Sequence, residues 1–166
     1  MKLLEGKVAL ITGAARGIGK AIAVKYASEG ANIVFTDLNI DDNALATKAE
    51  LESYGVKVMA VASNAASFEE SHKVVEDTVK EFGRLDILVN NAGITQPVKT
   101  LDIKRNDYDR ILDVSLRGTL IMSQAVIPSM KESGGGSIVC LSSVSAQRGG
   151  GIFGGPHYSA AKAGVL

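Results

Sequence analysis

Three groups of residues in this chain have the types and spacing to do chemistry together. The first is Thr12-Gly13-Ala14-Ala15-Arg16-Gly17-Ile18-Gly19, a glycine-rich turn between a short apolar run and a helical pattern. Backbone N–H groups at a helix start attract phosphate, and glycines let a ligand approach without Cβ atoms in the way. On that logic Gly13 makes the sharp turn, Gly17 lets the backbone near a pyrophosphate, and Gly19 allows close packing of helix on strand. The spacing is G-x3-G-x-G rather than G-x-G-x-x-G, and the strand–turn–helix context separates it from a plain glycine turn. The second is Asp37, 18 residues beyond Gly19 at the end of a second apolar run. A carboxylate there can accept hydrogen bonds from both ribose hydroxyls of an adenosine and repels a 2′-phosphate. Arg16 pulls the other way, since a guanidinium in this loop can hold a 2′-phosphate. Asp37, at the strand end itself, favours NAD, and NADP stays open. The third group is Tyr158 and Lys162, at i and i+4 on one helix face, preceded by Ser142-Ser143 at the end of a fifth apolar run.

The elements that must position these groups alternate in type. Short runs at Val8–Thr12, Asn32–Thr36, Lys57–Ala62, Leu85–Asn90 and Ser137–Leu141 read as strands. Helices are expected over Gly17–Glu29, Asp41–Tyr54, Ser67–Phe82, Asn106–Lys131 and from Tyr158 onward. Asp41 is the expected N-cap of the second, Ser67 and Glu70 form an expected capping box, and Pro128 is a possible kink in the fourth. Continuously apolar strands suggest a sheet covered on both faces, and strict βα alternation implies a parallel, doubly wound α/β sheet with right-handed crossovers. Ligands of such sheets bind beyond the carboxyl ends of the strands, where all three groups fall.

Composition narrows the alternatives. Eighteen Lys+Arg balance eighteen Asp+Glu among 166 residues, which argues against a nucleic-acid or membrane-surface binder acting through bulk charge. One cysteine, Cys140, cannot form an intrachain disulfide and is expected to be a small buried hydrophobe. No apolar run approaches the roughly 18 residues of a membrane span, and Glu5 and Lys7 interrupt any signal-peptide core. A cytoplasmic location is the expectation. His72 and His157 have no second ligand at metal spacing, so no metal is expected. Arg105, Arg110 and Arg117 are expected to be solvated or at an interface. The region is read as one dinucleotide-binding domain over residues 1–166.

Taken together, the glycine loop, Asn90-Asn91-Ala92-Gly93, Ser142-Ser143 and Tyr158-x3-Lys162 resemble the short-chain dehydrogenase/reductase family, in the family's order and over nearly the whole chain. Within it the chain looks most like 3-oxoacyl-carrier-protein reductases and polyol dehydrogenases. The resemblance implies a Rossmann-like sheet of strand order 3-2-1-4-5. It implies cofactor contacts from Gly13, Arg16, Gly17, Ile18, Gly19, Asp37, Asn64, Asn90, Ala92, Gly93, Tyr158 and Lys162. It makes Tyr158 the general acid of carbonyl reduction and the base of alcohol oxidation, helped by Lys162, with Ser143 on the substrate oxygen. Asn90 and the Ala92-Gly93 backbone are read as both scaffold and cofactor contact.

Two positions depart from the family. Asn64 stands where an Asp is common near adenine, and Ser115 stands where an Asn completes the catalytic tetrad. Gly149-Gly150-Gly151 and Gly154-Gly155 are expected to let a loop run from Ser143 to Tyr158. The family would continue past Leu166 for roughly 80 residues, at about 30 or more per strand-bearing unit. The chain therefore reads as the N-terminal part of a longer homodimeric or homotetrameric oxidoreductase. The competing reading is a non-catalytic dinucleotide-binding module. Substrate identity stays open among neutral ketones or secondary alcohols, polyols and acyl thioesters.

Overall fold

The computed structural model describes residues 2–150 and 154–166. Five strands, β1 (Val8–Thr12), β2 (Asn32–Asp37), β3 (Val58–Ala62), β4 (Ile87–Asn90) and β5 (Ser137–Cys140), form one sheet in the order β3-β2-β1-β4-β5. All four pairings are parallel, with Val8 opposite Asn32, Ile11 opposite Val89 and Asn90 opposite Cys140. The expected doubly wound topology is therefore the observed one.

The period-two alternation of a strand sends neighbouring residues to opposite faces. Ala9, Ile11, Ile33 and Phe35 pack on one side, with Ala23 and Ala27 of α1 (Gly17–Ser28) and Leu51 of α2 (Asp42–Glu52). Val8, Leu10, Val34 and Leu88 pack on the other. They meet Val74 and Val75 of α3 (Phe68–Phe82) and Met122 and Val126 of α5 (Gly118–Glu132). Small alanines on α1 let that helix sit close to the sheet, which keeps the β1–α1 turn tight.

Local signals act largely as expected. Asp41 accepts from Ala44 N at 3.0 Å and caps α2, and Gly83 ends α3 in the left-handed conformation at φ +74°. The capping box is only half formed. Ser67 Oγ accepts from Glu70 N at 3.2 Å, but the Glu70 carboxylate turns to Asn64 N at 2.7 Å. It thereby braces the β3–α3 turn.

The expected single helix over 106–131 is three segments in one run. α4 (Arg105–Leu112) passes into a π-helical turn, Asp113–Arg117, before α5 begins. Such wide turns recur at functional sites, and this one carries Ser115. Pro128 lies inside α5 without ending it. The stretch after β5 opens with a short helix, α6 (Val144–Arg148), rather than the expected loop, because Ser143 caps it; the expectation for Gly151 lies outside the described residues. The last helix, α7 (Pro156–Ala163), starts two residues before Tyr158, since Pro156 is preset for a first helical position.

Cys140 is exposed, not buried. It lies on β5, which among the described residues pairs with β4 alone and is exposed along its length. Among the described residues, no helix is long and apolar enough to cross a membrane, and no cluster of His, Cys, Asp or Glu could hold a metal.

Candidate active site

A cavity of about 630 Å³ runs across the carboxyl ends of the strands. The strand order dictates what it meets: Asn64 after β3, Asp37 at the end of β2, Gly13 after β1, Ala92 and Gly93 after β4, and Ser142 after β5. Tyr158 and Lys162 of α7 complete the β4–β5 end, while Arg16 and Ile18 line the part near Asp37.

The β1–α1 turn is held by residues far away in sequence. Gly13 has φ +66°, and a Cβ there would stand 2.9 Å from Ala92 Cα. A Cβ on Gly19 would meet Asn91 Nδ2 at 2.5 Å and Gly13 O at 2.6 Å. Gly17 has φ +61° with nothing within 4 Å of where a Cβ would be, so the turn presents open backbone there. Asn91 is the clamp: its Nδ2 donates to Thr12 O at 2.9 Å and Gly13 O at 2.8 Å. Thr12 Oγ1 in turn accepts from Asn91 N and Ala92 N at 3.1 and 3.0 Å. The sequence drew attention to Asn90 instead. Asn90 is buried and its Nδ2 donates to Ser123 Oγ at 3.0 Å, with Cys140 Sγ at 3.6 Å, so it ties β4 to α5 and β5. Strand alternation is the reason: Asn90 and Asn91 face opposite ways.

Asp37 uses one carboxylate oxygen to accept from Ala15 N at 3.2 Å and the other to accept from Leu38 N at 2.9 Å. A carboxylate has about four acceptor positions, so capacity remains for ligand hydroxyls. Asn64 Oδ1 accepts from Ala66 N at 3.0 Å and keeps a second lone pair.

At the β4–β5 end, Lys162 is 5% exposed and its Nζ donates to Leu141 O at 2.7 Å. Burial pushes its ammonium below the usual lysine range, although Cys140 nearby works in the opposite sense. A Cβ on Gly93 would lie 3.3 Å from Lys162 Nζ and 3.5 Å from Ser115 Oγ, so these two groups flank the Gly93 backbone. Ser115 is fully buried and bonds Ile94 twice, accepting from its N–H at 3.2 Å and donating to its carbonyl at 3.3 Å. Its own carbonyl accepts from Thr119 Oγ1 at 3.4 Å.

Ser142 Oγ donates to Lys162 O at 2.7 Å and lines the cavity. Ser143 Oγ accepts from Ser145 N at 3.2 Å as the α6 cap. Gly17, Gly19, Asn90, Ser115 and Ser143 are therefore outside the lining itself. Arg110, expected to be solvated or at an interface, is exposed and lines the cavity with Val114. The only prior signal for it was the four-residue spacing that puts both on one helix face.

Comparison with known proteins agrees with this architecture. The sequence profile described as short chain dehydrogenase matches residues 7–166. The chain belongs to the short-chain dehydrogenase/reductase family. It is 52% identical over 168 residues to an uncharacterized short-chain type dehydrogenase/reductase, y4mP, of Sinorhizobium fredii, with 99% of this chain and 66% of that protein covered. It is 42% identical over 166 residues to the 3-oxoacyl-[acyl-carrier-protein] reductase FabG of Thermotoga maritima, covering 98% of this chain and 65% of the reductase. The crystal structure of a short chain dehydrogenase from Mycobacterium paratuberculosis bound to NAD superposes with a TM-score of 0.92 at 36% identity, over 98% of this chain and 64% of that one. The chain thus spans just under two thirds of the length of these relatives.

Proposed function

We propose that the protein is an oxidoreductase that moves a hydride between a nicotinamide cofactor and a secondary alcohol or ketone. The observation that carries this is a single cavity bearing the glycine turn and Asp37 at one end and Tyr158 with Lys162 at the other. The residues suit a dinucleotide. At Gly17, φ +61° with nothing within 4 Å of a would-be Cβ leaves the start of α1 open to an approaching phosphate. Gly13, Arg16, Gly17, Ile18 and the Ala92-Gly93 backbone would hold the pyrophosphate and ribose portion, with Asn90 as scaffold behind them and Gly19 keeping the helix close. Asn64, through its spare amide lone pair, would accept from the adenine.

NAD is the preferred cofactor, on the strength of the Asp37 carboxylate at the β2 end. Arg16, which lines the same region, is the group through which NADP would be accepted instead. When bound, the nicotinamide supplies the hydride acceptor or donor. Tyr158 takes the alcohol proton as the phenolate in oxidation, becoming the phenol, and as the phenol donates that proton to the carbonyl oxygen in reduction. Lys162 places an ammonium in a buried setting, where it favours an ionised neighbour more strongly than in water. Ser143 Oγ, accepting from Ser145 N, still has its own proton to donate to the substrate oxygen. Ser115 supports the site from behind by fixing Ile94.

The relatives named as 3-oxoacyl-[acyl-carrier-protein] reductases support small carbonyl compounds, including acyl thioesters, as the class to test first. Exposed Leu120 and Ile127 on α5 support self-association into a dimer or tetramer, measurable by sedimentation. The decisive experiment is turnover of Tyr158→Phe and Lys162→Ala variants over a panel of alcohols and ketones with NAD(H) and NADP(H). Loss of about a hundredfold or more is expected for Tyr158→Phe, the scale of a positioned acid–base group. Undiminished turnover in both variants overturns the mechanism. Tight NADH binding without turnover of any substrate points instead to a dinucleotide-binding module.

A further inference from the structure

The segment after β4 forms one wall of the cavity through Ile94 and Thr95, and side chains from two distant elements hold it. Ser115, in the π-helical turn, bonds both backbone groups of Ile94. Two residues on, Gln96 is held twice at the head of α7. Its carbonyl accepts from Gly155 N at 2.9 Å, and its side-chain oxygen lies 3.1 Å from His157 Nε2. The segment and the helix head touch backbone to backbone, since a Cβ on Gly155 would stand only 2.8 Å from Val98 O.

His157 is 2% exposed, does not line the cavity, and precedes Tyr158 directly. With the Gln96 oxygen accepting, the imidazole carries its proton on Nε2 and leaves Nδ1 as an acceptor. Nδ1 is buried without a partner among the described residues. Burying a half-satisfied imidazole costs free energy that an apolar ring of similar size does not. What the histidine supplies in return is the bond to Gln96. Between the two tethered residues stands Thr95. Thr95 and Tyr158 both line the cavity, and Gly154 packs between them: a Cβ there would run into the Tyr158 ring and stand 3.0 Å from Thr95 Oγ1.

We propose that His157 is a positioning residue that, through Gln96, clamps segment 94–98 to the head of α7 and sets how far Thr95 stands from Tyr158 at the cavity wall. It thereby selects substrates by bulk at the end of the cavity where Tyr158 acts. This rests on Tyr158 being the residue that faces the reacting carbonyl.

The test compares His157→Phe, Gln96→Leu, the double variant and His157→Gln, whose amide N–H can restore the donor. Deuterium uptake over 94–98 in the cofactor-free protein is expected to rise about threefold or more in the first three, with residues 8–19 unchanged, as expected when an opening is local. NADH affinity, read by its fluorescence in this tryptophan-free chain, should stay within about twofold. With the acetoacetyl thioester of N-acetylcysteamine, KM should rise about tenfold while kcat stays within about threefold. Cyclohexanone, whose ring is wider at the carbonyl, should lose less. His157→Gln should restore all readouts, and the double variant should be no worse than either single one. Unchanged uptake over 94–98, equal losses in kcat and NADH affinity, or additive effects overturn the clamp. If neither substrate is turned over by the wild-type protein, the oxidoreductase reading fails on those substrates, and the uptake pattern still decides whether the clamp exists.

Discussion

Replacing Asp37 with alanine separates two roles that the carboxylate holds at once. In the structure it anchors Ala15 N and Leu38 N, and in the proposed complex it also accepts from the adenosine ribose. Losing a hydrogen bond to a charged group costs about 1.5–3 kcal/mol, so NADH binding should weaken by about 2 kcal/mol, or roughly 30-fold. For NADPH the sign reverses. Two unit charges roughly 5 Å apart repel by about 3 kcal/mol at an effective dielectric of about 20. Asp37 is partly open to solvent, and about half of that, roughly 1.5 kcal/mol, is expected to survive screening. The NADH/NADPH preference should therefore fall by about 400-fold, the product of the two effects. Titration of cofactor fluorescence at fixed ionic strength measures both constants directly. Asp37→Asn serves as the control, because it keeps an acceptor for Ala15 N while removing the charge. An unchanged preference in both variants refutes the ribose role. Equal weakening of both cofactors in Asp37→Ala reduces the residue to a tether of the glycine turn.

Three other perturbations follow from the same geometry. Gly19→Ala places a methyl against the Gly13 carbonyl and Asn91 amide, and overpacking of this kind costs about 1–3 kcal/mol, or roughly 3–10 °C in Tm for a chain of this size. Calorimetry showing an unshifted transition would mean the turn yields freely. Lys162→Met should abolish turnover yet raise Tm by about 2–4 °C in the cofactor-free protein, since removing a buried charge in favour of an apolar side chain is often stabilising. Because burial holds the lysine below its usual range, folding opposes its protonation. That cost is relieved as pH rises, and the Tm gain of Lys162→Met should shrink at alkaline pH; a gain that grows there contradicts the assignment. Asp86, at the opposite end of the sheet, is 6% exposed; burial alone would raise its pKa, but bonds from Arg84, Val8 N and Lys7 outweigh this and hold it below the usual carboxylate range. The stability it contributes is present above the unfolded-state pKa and is lost as pH falls through the lower folded value. Asp86→Asn should flatten the acid limb of a Tm–pH curve, and an unchanged limb removes Asp86 as its source.

Much of the fold was legible because its signals are local. Caps at Asp41 and Ser67, the stop at Gly83, and the apolar runs depend on neighbours within a few residues. Strict βα alternation then leaves few topologies, and the family motifs select the strand order that is observed. Of the expected site residues, Gly13, Arg16, Ile18, Asp37, Asn64, Ala92, Gly93, Tyr158 and Lys162 line one cavity, whereas Gly17, Gly19, Asn90, Ser115 and Ser143 do not.

The residues that the sequence left unassigned, or assigned to the wrong environment, have partners far along the chain. Asn91 rather than Asn90 clamps the glycine turn, because strand alternation aims one toward β1 and the other toward α5. Glu70 is the local exception: it braces Asn64, six residues back, instead of closing its capping box. Cys140 is exposed because β5 closes the sheet among the described residues, which no local pattern around the cysteine records. His157 carries no motif, and its meaning comes from Gln96, 61 residues away. By itself the sequence determined the elements, their order and the types of group gathered at the strand ends, since periodicity, capping and glycine conformation act over a few residues. Which side chains touch across 20 to 80 residues was decided only by tertiary structure, because packing and strand register set those contacts and leave no pattern in the neighbouring sequence.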